Sequence, residues 1–210
     1  MLSFYYTIKG YGTHEQIIQK SRFITHFNRA ESEEEAQAFI QSIKKKHHDA
    51  THNCSAYVIG ANDEIQKAND DGEPGGTAGV PMLEVLKKQN LKNTVVVVTR
   101  YFGGIKLGAG GLIRAYSSSV SKGIQAVGIV KRIRMQVMHA AFDYAHLGKI
   151  ENELRRSAYK LKETNYTEQV EMTVYVEKGK KEEFVEWMTN LTNGEAKFRT
   201  GHEEYLEEEA

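Results

Sequence analysis

The sequence predicts a two-domain α+β protein, and three observations carry that expectation. Residues 130–210 read in order as strand, helix, strand, strand, helix, strand, the split pattern of a ferredoxin-like sandwich. Before Gly128, two strand-like segments each lead toward a glycine-rich loop and then a helix. The charge balance also changes sign near that point: residues 1–129 carry 15 basic and 12 acidic side chains, and residues 130–210 carry 13 and 16. The expected domains are therefore 1–129 and 130–210. At 210 residues and 40% apolar composition, the chain has enough apolar material for a core in each.

The first helix is expected within "ESEEEAQAFIQSIKKKHH", residues 31–48. Ser32 and Glu35 have capping-box spacing, and Ala36, Phe39, Ile40 and Ile43 form one apolar face. Acids open it and lysines close it, as the helix dipole favours. "SAYVIG" and "NTVVVVTRYF" read as strands, the second so uniformly β-branched that both its faces should be buried. The helix after the first loop opens at Pro81, which a first turn tolerates. After the second loop, Ile113, Tyr116, Val120, Ile124 and Val127 recur at helical spacing.

Beyond Gly128 the periodicity becomes two: Ile133, Met135 and Val137 alternate with Arg132, Arg134 and Gln136, a strand with one wet face. Asp143 is placed to cap a helix bearing Leu147, Ile150 and Leu154. Strands follow at 161–166 and through Val170, Met172, Val174 and Val176. A helix with Phe184, Trp187, Met188 and Leu191 on one side closes at Gly194, before a last strand near "EAKFRTG". Much of the acidic surplus of this half lies in the tail "EEYLEEEA".

Half of the 18 glycines and both prolines fall in "DDGEPGGTAGVP" (70–81) and "RYFGGIKLGAGGLIRAY" (100–116). Free N–H groups at a helix start can cradle a phosphate. In the second loop Gly103, Gly104, Gly108, Gly110 and Gly111 would let the backbone approach an anion, with Arg100, Lys106 and Arg114 around it. The competing reading is that these glycines serve tight turns alone. Gly108-Ala109-Gly110 stands where a P-loop needs Gly-Lys-Ser/Thr, and the dinucleotide fingerprint lacks its third glycine. In the first loop Asp70, Asp71 and Glu73 could hold a cation or act as acid and base, or accept backbone N–H bonds in an ordinary turn. "HHDATHNC" adds His47, His48, Asp49, His52 and Cys54 in a spacing that matches no closed zinc site, and no metal or other cofactor is expected. Cys54 reads as a small buried side chain. One cysteine excludes an internal disulfide, and the absence of a signal-like or membrane-length segment leads us to expect a cytoplasmic protein with no membrane partner.

Four motifs in order, "KSRF" (20–23), "HNCSAYVIG", "DDGEPGGTAGVP" and "VVVVTRYFGGIKLGAGGLIRAY", resemble the YigZ/IMPACT family over the whole chain. Gly75-Gly76 stands where members often have a serine or alanine first. The resemblance implies an N-terminal α/β sandwich similar to a ribosomal small-subunit protein domain and to GHMP kinases. It also implies a C-terminal domain similar to the last domain of elongation factor G. The activity it implies is regulation of translation through RNA, the ribosome or a protein partner, with Lys20, Arg22, Arg100, Lys106 and Arg114 meeting phosphates. The alternative it carries is a metal-assisted dipeptidase or phosphate-ester hydrolase using Asp70, Asp71, Glu73, His48 and His52.

Overall fold

The four valines at 95–98 organise the N-terminal unit. They lie in β6 (Thr94–Tyr101), the middle strand of an antiparallel sheet ordered β2 (Gly12–Ile18), β3 (Ser21–Arg29), β6, β4 (His52–Ile59), β5 (Ile65–Asn69). Successive side chains of a strand point to opposite faces. Val95 and Val97 therefore join Ala36, Ile40 and Ile43 of α1 (Glu33–Lys46) on one side. Val96 and Val98 join Met82 and Leu86 of α2 (Gly79–Lys88) and Tyr116, Val120 and Ile124 of α3 (Gly108–Val127) on the other. A sheet covered on both faces buries the strand completely, as its composition requires.

The structure, a computed structural model, describes residues 3–210. The chain divides into two compact units: Tyr5–Lys131 with Glu208–Ala210, and Arg132–Glu207 with Ser3 and Phe4. No helix among the described residues is long and apolar enough to cross a membrane.

Helix α1 is capped much as its sequence suggests. Ser32 accepts the Glu35 N–H (3.2 Å), while the Glu35 carboxylate reaches back to the Glu31 N–H (2.7 Å). Four strands have no expected counterpart: β1 (Phe4–Ile8), β2, β3 and β5. β5 is an edge strand whose "IQKAN" has a single large apolar residue, so no alternation marks it. In α3 the buried face is rotated relative to the expected one. Leu112, Ala115 and Ser119 pack inward, and Ile113 is 41% exposed.

The second unit is the expected ferredoxin-like arrangement. Its elements are β7 (Ile129–Phe142), α4 (Leu147–Arg156), β8 (Lys160–Tyr166), β9 (Val170–Glu177), α5 (Lys181–Leu191) and β10 (Lys197–Glu209). β7 pairs with β9 and with β10, and β9 pairs with β8. Asp143 caps a single 3-10 turn, Tyr144–His146, that leads into α4. The last strand is longer than expected, because the acidic tail continues it. Arg132 meets Glu207 at 3.5 Å, and Arg134 and Lys162 ion-pair with Glu203 and Glu204. The face of β7 read as wet is thus laced to β10 by pairs of opposite charge.

Candidate functional site

The two glycine loops meet in the N-terminal unit. The first, residues 70–78, is built around Asp70. One of its carboxylate oxygens accepts the N–H groups of Ala78 (3.1 Å) and Gly79 (2.8 Å), and the other that of Gly76 (2.8 Å). No side chain at Ala78 caps α2, so Asp70 supplies both the acceptors and the negative charge its N-terminus favours. Burial acts to raise the Asp70 carboxyl, but the bonds from Gly76, Gly79 and Ala78 outweigh it and hold the group below the ordinary aspartate range. Asp71 accepts the Asn53 N–H (2.6 Å) and pairs with Lys44 (2.6 Å).

Glu73 turns inward, its side chain only 3% exposed. One oxygen accepts Arg100 Nη1 at 2.7 Å and the Tyr116 hydroxyl at 2.8 Å, and the other lies 3.7 Å from His52 Nε2. His52 Nδ1 is bonded to the Asp71 carbonyl (2.8 Å). A carbonyl only accepts, so Nδ1 carries a proton and the ring turns Nε2 toward Glu73. Beneath them, Cys54 bonds the Asp70 carbonyl (3.0 Å) and the Tyr116 hydroxyl (3.3 Å). Burial pushes its thiol up to about 12, so it is no nucleophile. Burial also raises the Tyr116 phenol, which keeps it a donor to Glu73.

The second loop is fixed from below. Phe102 donates its N–H to Thr51 Oγ1 (3.0 Å) and Gly103 to Ser21 Oγ (3.3 Å). A Cβ on Gly103 would stand 2.0 Å from the Lys20 carbonyl oxygen, so only glycine permits this approach, and Lys20 is thereby held beside the loop. Helix α3 then starts with no capping side chain and no acid in its first turn. Between the loops lies a cleft of about 430 Å³. His52, Glu73 and Pro74 line it from the first-loop side, and Arg100, Phe102 and Leu107 from the second. Lys106, Gly108 and Ala109 border it at the start of α3.

Of the residues expected to meet phosphate, Arg100 is corrected by the structure. Its side chain is 6% exposed and its charge is met by Glu73. Arg22 is exposed but held by Glu15 through two 2.8 Å bonds. Lys20, Lys106 and Arg114 are exposed and, among the described residues, have no acidic partner. A Cβ on Gly110 would sit 3.5 Å from Arg114 Nη1, so that guanidinium lies back along the first turn of α3. Gly104 and Gly108 have φ of +85° and +70°, which glycine adopts without strain, while Gly111 packs against Leu107. Of the hydrolase candidates, only Glu73 and His52 reach the cleft. Asp70 and Asp71 spend their oxygens on the protein itself, and His48 lies exposed beyond α1. Among the described residues no three His, Cys, Asp or Glu side chains are grouped to hold a metal.

The Impact N-terminal domain model matches residues 19–124, and a domain of unknown function (DUF1949) matches 141–195. IMPACT family member YvyE of Bacillus subtilis (strain 168) is 63% identical over 207 residues, 99% of this chain and 95% of that one. The chain belongs to the YigZ/IMPACT family. IMPACT family member YigZ of Escherichia coli (strain K12) is 36% identical over 84% of this chain and 88% of its own. A crystal structure of a hypothetical protein is 32% identical with a TM-score of 0.63, covering 97% of this chain and all of that one. The matched Impact N-terminal region contains both loops and the cleft. Three parts of the site in this IMPACT family member escape sequence reasoning: Thr51, Phe102 and the hydroxyl of Tyr116. Only Phe102 carries a local signal, as an aromatic at the end of the expected strand immediately before Gly103-Gly104.

Proposed function

We propose that the protein binds RNA, including the RNA of the ribosome, through phosphate groups at the start of α3, and that it acts in the regulation of translation. One contrast carries this reading. The N-terminus of α2 is neutralised internally by Asp70, whereas that of α3 has neither a capping side chain nor an acid in its first turn. A helix start in that condition favours an anion. Lys106 and Arg114 flank it, and Gly103 holds Lys20 beside the same loop. The surplus of basic side chains in residues 1–129 works in the same direction by raising the local concentration of a polyanion. Family membership supports a role in translation through the resemblance set out above.

The test is a salt titration of RNA binding. Phosphate contacts release counterions, so affinity should fall steeply with salt. Replacing Lys20, Lys106 and Arg114 by alanine should weaken binding at low salt and flatten the logarithmic slope by about one per lost contact. Equal affinity and slope for wild type and triple variant would sink the proposal.

A further inference from the structure

We infer that the cleft between the two loops takes the base of an unpaired RNA nucleotide whose phosphate lies on the first turn of α3. This rests on the reading that this face binds RNA phosphates, and it adds which form of RNA is bound and how.

The walls of the cleft are apolar and partly flat: Pro74, Leu107 and Leu112, with the Phe102 ring, which is 47% exposed. Its volume of about 430 Å³ is that of a small-ligand cleft, for which about 300–1,000 Å³ is usual. Phe102 is held for stacking. The Arg100 guanidinium lies 5.5 Å from its centroid and 5.5 Å from that of buried Phe23, and Glu73 fixes the guanidinium. An aromatic ring braced on one side by a cation and open on the other is a stacking platform for a nucleobase.

Polar groups at the cleft exclude a purely aliphatic occupant. Glu73 Oε2 is an acceptor on one side, with the His52 ring beside it. Among the described residues Arg100 Nε is a buried donor with no partner, on a side chain that lines the cleft. A base edge carries both donors and acceptors and can answer such a mixed set, whereas an alkyl chain would leave it unmet. The third constraint is position. Lys106, Gly108 and Ala109 border this cleft and also form the start of α3, so ring site and phosphate site are contiguous and suit a single nucleotide. A base inside a duplex is stacked and paired and cannot enter without being extruded.

The experiment compares a short single-stranded RNA carrying one fluorescent purine analogue with a fully paired duplex of the same length and with adenosine monophosphate. Wild type should bind the single strand more tightly than the duplex and change the analogue's fluorescence at saturation. Phe102→Ala and Phe102→Leu should each lower single-strand affinity about tenfold or more and remove the fluorescence change, and Phe102→Trp should keep both. Duplex binding should be the same in all four proteins. Phe102→Leu retains apolar bulk, so a folding defect confined to the alanine variant does not blur the result. Equal single-strand affinity for wild type and both variants would overturn the inference, as would a duplex bound as tightly as the single strand. Saturable binding of adenosine monophosphate that Phe102→Ala abolishes while leaving RNA affinity unchanged would also overturn it, assigning the cleft to a free nucleotide. In these cases a steep salt slope retained by wild type would leave the phosphate reading standing; loss of that slope would remove both.

Discussion

At the scale of single residues, the acidic loop shows how three neighbouring carboxylates can have three fates. Asp70 caps a helix, Asp71 ties the loop to β4 and α1, and Glu73 neutralises a buried arginine. Removing one partner of a buried pair leaves the other charge uncompensated. Glu73→Gln should therefore cost about 3 kcal/mol in urea unfolding, and adding Arg100→Met should recover part of that loss. An additive double variant would contradict the pairing. Asp70→Ala should cost about 1 kcal/mol at neutral pH, the usual loss for a removed cap. The pH dependence has a definite sign. The folded carboxyl sits below its unfolded value, so its contribution is present above about pH 3.9 and fades as pH falls through that value toward the folded one. The stability gap between wild type and Asp70→Ala should accordingly shrink in acid, and a gap constant from pH 7 to 3 would contradict the assignment. Cys54, buried and with its thiol pushed up to about 12, should resist iodoacetamide in the native protein and react only on unfolding.

Between elements, close backbone approach positions the two helix starts. Gly79 opens α2 against the end of β5, where a Cβ would stand 2.5 Å from the Asn69 nitrogen, and Gly103 meets the Lys20 carbonyl oxygen. Both obstacles are main-chain atoms that no rotamer change relieves. Gly79→Ala and Gly103→Ala should each destabilise by about 1–3 kcal/mol, whereas Gly75→Ala, which meets nothing within 4 Å, should be nearly neutral in the same thermal melts. These contacts also show why the sequence disclosed some features and withheld others. α1, β9 and α5 announce themselves through period, because one face of each is buried, and β6 through an unbroken β-branched run, because both its faces are. β5 has too few apolar residues to show a period, and in β2, which reads "GTHEQII", no residue is fully buried. The site was legible as a pair of loops. That Arg100 would turn inward was not, because its partner Glu73 is distant in sequence and the pairing exists only once β6 lies beside the first loop.

Across the whole molecule, the charge asymmetry acquires a physical meaning from where the charges are spent. In Arg132–Glu207 three acids of the last strand are met by basic side chains of the same unit: Glu203 by Arg134, Glu204 by Lys162, Glu207 by Arg132. That unit also has a core of its own, in which Met138, Phe142, Ile150, Met172, Phe184 and Met188 are buried without help from residues before 130. A domain of about eighty residues can fold on a core of this kind, though with a modest margin. A fragment of residues 130–210 should therefore unfold cooperatively in calorimetry. Because it carries more acidic than basic side chains and lacks the α3 start, it should also show no salt-dependent RNA affinity, in contrast to the full chain. A fragment without a thermal transition would show that this unit needs the rest of the chain to fold. A folded fragment that bound RNA with the steep salt slope of the full protein would move the phosphate-binding face out of the N-terminal unit, because the fragment retains none of Lys20, Lys106, Arg114 or the free N–H groups of α3.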